Sequence, residues 1–219
     1  MTVSAYTPFE DTLHAAIHAV GFVAGLLAIP WLLVEVAAGA DPWRVLGAVV
    51  FSVSAMLVFA TSTLYHHATD PAARLRWRRL DHAAIYVLIA GSYTPFTIGV
   101  MRGTWGWGLF AVVWAVAALG IVAKATTIGF RYPRLSIALY LVMGWAGIVA
   151  IKPMMQALSA TTLGWIAAGG LLYTLGVPFY LWKSRRYTHA IWHLLVLGGV
   201  VCHFMAVRSV LGPDRKSVV

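Results

Sequence analysis

Charge is what this chain of 219 residues has least of. Asp, Glu, Lys and Arg make up 11% of it, against roughly a quarter in ordinary soluble domains. That shortage excludes a disordered chain and a coiled coil, both of which need charged surface. With 61% hydrophobic residues and a mean hydropathy of +0.81, it also excludes a water-soluble globule, because the surface left after filling one core would still be apolar. Cysteine is nearly absent: the single Cys202 allows no intrachain disulfide and, inside an apolar run, says nothing about redox compartment. Acidic residues number 7 against 16 basic ones, a net charge of +9. In a soluble protein that excess would point to nucleic acid; here the basic residues stand between long apolar runs, so no nucleic-acid partner is expected. The stretch before the first apolar run holds Glu10 and Asp11 but no Lys or Arg, which is not the composition of a cleavable signal peptide.

What is abundant is apolar sequence in lengths that cross a bilayer, for which a helix needs about 20 residues. Residues 45–65, 83–101, 103–123 and 135–151 contain no Asp, Glu, Lys or Arg, and 15–34 and 187–207 are equally free of them though they contain histidine. The run 153–182 is too long for one crossing; its polar beginning, 153–162, reads as a loop and 163–182 as a helix. The expectation is an all-α integral membrane protein with seven transmembrane helices in a single domain over 1–219. Trp43, Trp77, Trp105, Trp107 and Trp182 fall at span ends, as an aromatic belt requires. Pro30, Pro95 and Pro178 lie within spans, where neighbouring helices can satisfy the freed carbonyls.

The loops after spans two, four and six carry ten Lys and Arg, among them Arg74, Arg76, Arg78 and Arg79; the opposite loops carry three, Arg44, Arg102 and Lys152. Basic loops stay cytoplasmic, so the N-terminus is expected inside and the C-terminus outside, in the plasma (inner) membrane.

Polar residues inside such spans are expensive and therefore informative. Topology puts seven of the eight histidines (all but His203) toward the cytoplasmic face, at the depth of Asp81. His189 and His193 are one helical turn apart on one face, the arrangement by which a single helix gives two ligands to one zinc. Ser62 and His66 repeat that spacing on span two, and Asp81 opens span three, where it could accept a hydrogen bond from a metal's water. His67 and His82 are placed to bond lipid headgroups, His203 to bond a neighbouring helix, and Glu35 to face water at the outer end of span one.

Three stretches resemble the bacterial hemolysin III family of the progestin and adiponectin receptor (PAQR) superfamily: Ser62-Thr-Leu-Tyr-His66, Asp81 through Phe96, and Tyr187-Thr-His-Ala-Ile-Trp-His193 continuing to His203-Phe204. The resemblance implies seven helices with zinc near the cytoplasmic face. It makes His66, His189 and His193 the zinc ligands, has Asp81 hold the zinc's water and puts Ser62 close by. At the N-terminus Glu10 and His18 fit the family pattern, whereas His14 stands where the family often has Asn. The superfamily is also similar to alkaline ceramidases, zinc-dependent amide hydrolases of the membrane.

Two functions follow as expectations. One is a zinc-dependent hydrolase of a lipid amide or ester, with Asp81 and Ser62 as catalytic residues and a membrane lipid as substrate. The other is a lipid-responsive receptor-like or membrane-perturbing protein in which zinc is structural. A constitutive pore is disfavoured by the few hydroxyls in spans two, four and five, and a retinal protein by the absence of lysine from span seven.

Overall fold

The computed structural model describes residues 6–37, 41–126 and 128–210, with backbone alone for 35–37, 128 and 129. The side chain of Glu35 and the tail beyond 210 lie outside the described residues. Within them the chain is helical without strands, and seven helices are long and apolar enough to cross a membrane. They start where proline and a capping side chain say they should. Helix α1 (Pro8–Ala37) opens with a capping box: the Thr7 hydroxyl accepts from the Glu10 amide, and the Glu10 carboxylate accepts from the Thr7 amide. Helices α2 (Pro42–His67) and α3 (Pro71–Phe96) have Asp41 and Asp70 as N-caps, each followed by a proline whose missing N–H costs nothing in a first turn.

These starts shift two sequence boundaries. Span one begins at Pro8 rather than residue 15, so Glu10, Asp11 and His14 ride on the helix instead of preceding it. Span three begins at Pro71 rather than residue 83, which makes Arg74, Arg76, Arg78 and Arg79 helical and leaves only a short connection after α2. A search for charge-free runs stops at the first ionisable residue; the backbone does not.

After α3 the chain passes through one π-helical turn (Thr97–Met101) into α4 (Gly103–Ala125), then a short α5 (Ile128–Arg131) and α6 (Pro133–Gly144). The fifth span breaks at Trp145 into a 3-10 segment (Ala146–Ala150) and resumes as α7 (Ile151–Ala157). The Tyr93 hydroxyl from α3 holds this break, donating to the Gly144 carbonyl at 2.7 Å and accepting from the Gly147 amide at 3.0 Å. The expected loop over 153–162 is therefore corrected. Pro153 sits in the first turn of α7, where no backbone donor is needed, and the connection shrinks to the residues just before α8 (Ala160–Leu181). Helix α9 (Thr188–Ser209) completes the bundle.

The closest packing is between α2 and α3. A Cβ on Gly47 would stand 2.6 Å from the Pro95 Cα, and one on Gly91 would stand 2.3 Å from the Ser54 hydroxyl. Phe51, Val58, Leu88 and Phe96 fill the core around this seam. Large apolar side chains such as Leu27, Leu119 and Val149 instead point outward and are about three-quarters exposed, the inside-out surface a lipid solvent calls for.

Because backbone at Pro95 cannot yield as a flexible side chain would, Gly47→Ala is expected to destabilise the protein by about 1–3 kcal/mol. Gly108→Ala, whose added Cβ meets nothing within 4 Å, is the control, and thermal denaturation in detergent should separate the two.

Candidate metal centre at one end of the bundle

Three elements far apart in sequence converge at the N-terminal ends of α1 and α9 and the C-terminal end of α2. His14 comes from α1, His66 from α2, and His189 and His193 from α9; each offers one nitrogen, and these lie within 4.8 Å of one another. His193 and His66 approach Nε2 to Nε2 at 3.2 Å. Nitrogens bound at about 2.0–2.1 Å to one tetrahedral ion stand about 3.3 Å apart, so this spacing suits two ligands of one metal as well as a hydrogen bond between the rings. His14 is fully buried, and neither its Nδ1 nor its Nε2 has a hydrogen-bond partner among the described residues; the Nδ1 of His189 is likewise unpaired.

The tautomers can be worked out from the outer partners. His66 Nδ1 donates to Asp11 Oδ1 at 2.9 Å, so its Nε2 presents a bare lone pair to the cluster. Without an ion, His18 Nε2–H can donate to His193 Nδ1 at 2.6 Å and His193 Nε2–H to His66. That chain leaves His14 and the His189 Nδ1 with nothing. An ion held there would take the inward lone pairs of His14, His66, His189 and His193, and His18 would then accept from the His193 Nδ1–H behind it. The donor set therefore fits a metal ion, and neutral imidazole suits zinc, copper, iron and nickel.

Outer partners orient such ligands. Asp11 receives His66 on one side and a two-point contact from Arg74 at 2.7 and 2.9 Å on the other. Glu10 reaches across with its second oxygen to accept from the Tyr187 amide at 3.2 Å. Tyr187 has a left-handed backbone, φ 62°, costly for a side chain of that size, and this bond helps hold the start of α9 where His189 and His193 meet α1. The Tyr6 ring stacks on His189 with centroids 4.8 Å apart and meets His14 edge-on at 4.9 Å, and burial pushes its phenol pKa up, so it stays protonated.

The cluster abuts a polar cavity of about 620 Å³ whose wall includes His18, His189, His193, Ser62 and Asp81. The five residues singled out by sequence thus come to one end of the bundle: three in the cluster, and Ser62 and Asp81 on the cavity wall beside it. The Ser62 hydroxyl is buried and unpaired among the described residues. The Asp81 carboxylate lies 3.5 Å from His82 Nδ1, which also meets the Arg78 carbonyl at 2.9 Å, and the His82 ring lines the same cavity. His14 and His66 do not line the cavity. His203 lies apart, packed against Tyr173 with centroids 5.4 Å apart, and it faces the Ile166 backbone of α8, the neighbouring helix to which a bond was expected.

Sequence reasoning missed Asp11 and Arg74 altogether and left His14 and His18 without roles. The signal was present: Asp11, His14 and His18 follow one another at three and four residues, one face of a helix, once α1 is allowed to begin at Pro8.

Such an arrangement defines a class, seven-helix membrane proteins with a metal-competent histidine cluster buried at one end. The Haemolysin-III related family matches residues 6–204, and the chain belongs to it, within the PAQR superfamily. It is 39% identical to the Hemolysin-3 homolog of Bacillus subtilis (strain 168), over 92% of this chain and 94% of that one. It is 28% identical to the Monocyte to macrophage differentiation factor of Homo sapiens, over 78% and 73%, and 30% identical to the Heptahelical transmembrane protein ADIPOR2 of Oryza sativa subsp. japonica, over 74% and 80%. It is a multi-pass membrane protein.

Replacing Asp11 by Asn keeps the shape but removes the charge that fixes His66. Affinity for a probe metal, zinc or cobalt, should fall about 10–100-fold in a chelator competition titration; an unchanged affinity would show that Asp11 does not support the site.

Proposed function

We propose that this protein is a zinc-dependent hydrolase of the membrane that cleaves an amide or ester bond of a lipid. The observation that carries the reading is the junction of two cavities. The polar one beside the histidines shares Val58, His82, Ile85, Tyr180, Trp192 and Val196 with an apolar one of about 330 Å³ that runs on between the helices past Phe96 and Met101. The polar cavity is within, and the apolar one at the lower end of, the size range of small-molecule sites. An acyl chain in the apolar part brings its carbonyl to the wall formed by His189, His193, Ser62 and Asp81.

Zinc, when bound, supplies a Lewis acid that polarises the carbonyl and acidifies water; the resemblance selects it among the metals that imidazole suits. His66, His189 and His193 are the ligands in this reading, with His14 as a fourth imidazole. Asp81 takes the proton as water adds to the carbonyl carbon, then delivers it to the amine or alcohol that leaves when the C–N or C–O bond breaks. Ser62 donates its free hydroxyl to the carbonyl oxygen as negative charge develops there. Arg74 and Asp11 keep the His66 ring in register.

His14 favours a second reading. Four protein ligands are the mark of a closed, structural zinc site, whereas catalytic sites keep one position open. A lipid-responsive or membrane-perturbing protein needs only that closed form. Against it stands the cavity, which reaches the cluster past His189 and His193 and leaves a side open to substrate.

The charge asymmetry further supports a cytoplasmic N-terminus, an outside C-terminus and the plasma (inner) membrane. A reporter fused after Val219 that is active only outside the cytoplasm should then be active.

Metal analysis by mass spectrometry on protein without a histidine tag should give one zinc per chain, lost in His189→Ala/His193→Ala. Asp81→Asn should keep the metal while kcat on the cleaved lipid drops about 10²–10⁴-fold. Full zinc content with no turnover of any acyl lipid in a broad panel, or turnover indifferent to Asp81→Asn, would hand the site to the structural reading.

A further inference from the structure

The basic residues near the site are of two kinds. Arg76 is exposed, as a residue that only fixes topology can be; Arg74, Arg78, Arg79 and Lys183 line the polar cavity. Asp81 is the only carboxylate on that wall among the described residues. Arg74 is neutralised by Asp11. Arg78, Arg79 and Lys183 make no ion pair among the described residues, and the Nε of Arg79 is buried with no partner there. The cavity thus carries a positive excess beside the metal centre, with one orphaned guanidinium donor.

The aromatic rings on the same wall sharpen this. Arg74 lies over Tyr65 at 5.2 Å, Arg78 over Phe130 at 4.9 Å and Lys183 over Tyr180 at 5.9 Å, and all three rings line the cavity. Aromatic faces are what a quaternary ammonium group seeks. Here each of these three rings already carries a cation of the protein, which leaves Tyr6 and Trp192 as the other aromatic faces of the cavity, and a choline ammonium meets like charge across that wall. A phosphate meets two guanidinium groups and an ammonium, the donors that bind phosphate best.

We infer that the polar cavity binds the phosphate of an anionic acyl lipid, with Arg78, Arg79 and Lys183 on the phosphate and the acyl chain in the apolar cavity. This rests on the proposed function in one respect, that the carbonyl of the bound lipid is the bond cleaved; the binding itself needs neither metal nor turnover. It narrows the substrate class from any acyl lipid to one with a negatively charged phosphate headgroup that lacks a compensating cation.

The test uses the full chain in neutral detergent, with native mass spectrometry reading retention of phosphatidylglycerol and phosphatidylcholine of identical chains. Retention of phosphatidylglycerol should exceed that of phosphatidylcholine by about tenfold or more, the equivalent of one charge-assisted hydrogen bond. Arg78→Gln/Arg79→Gln should remove the preference, and Lys183→Gln, on an exposed position, should reduce it in a variant whose folding is not at stake. Inorganic phosphate is a separate arm. Competition at millimolar phosphate identifies the headgroup group alone as the ligand, and lack of competition identifies the whole lipid; either supports phosphate recognition. Equal retention of the two lipids, or a preference untouched by the arginine and lysine variants, overturns it. Selective retention without hydrolysis removes the hydrolase and keeps the headgroup site, whereas hydrolysis of both lipids at equal rates does the reverse.

Discussion

Much of this molecule follows from one requirement: imidazole nitrogens buried together inside a membrane protein cost free energy unless a partner offsets the loss of water. His66 finds Asp11, His193 finds His18, and the lone pairs left over point at a common centre. Asp11 in turn needs a counter-charge, which is Arg74, and Arg74 can reach it only because α3 begins at Pro71 and carries its arginines on a helix. The capping box at Thr7 and Glu10 belongs to the same chain of necessity, since it sets where α1 begins and lets Glu10 hold the turn into α9. Each of these polar residues would be a liability alone; together they satisfy one another and leave the nitrogens of His14 and the Nδ1 of His189 as the unpaired members of the cluster.

The seven helices could be read from sequence because their signal is length times hydropathy, which is additive along the chain and blind to neighbours. Helix starts were harder. Pro8, Pro42, Pro71 and Pro133 each open a helix, a local cue that the charge-free runs obscured by ending at Asp11 or at Asp81. The histidines at 66, 189 and 193 were legible because i, i+4 spacing and depth can be computed for a single helix. His14 as a member of the cluster, and Asp11 as the support of His66, were not legible, because they depend on how α1 sits against α2 and α9. The break in the fifth span was invisible for the same reason: its cause is a hydroxyl on α3.

The cavities give the site a polarity of their own. One end is rich in cations and histidines; the other is apolar and ends among the helices. A ligand that matched both would itself be amphipathic, with its polar part at the end where α1, α2 and α9 meet. Relatives in animals and plants that carry very different names fall within one superfamily with this chain.

The order of the ligands along the chain has a consequence for biogenesis. Two of the four histidines, His14 and His66, emerge early, and the other two stand in the last helix. Contacts between the first and last helices are the most distant the chain can make, and contacts of that kind form late. A nascent chain halted anywhere before α9 holds only half a metal site. Completion of the cluster therefore coincides with insertion of the last helix, so the end of the bundle is finished only when the chain is.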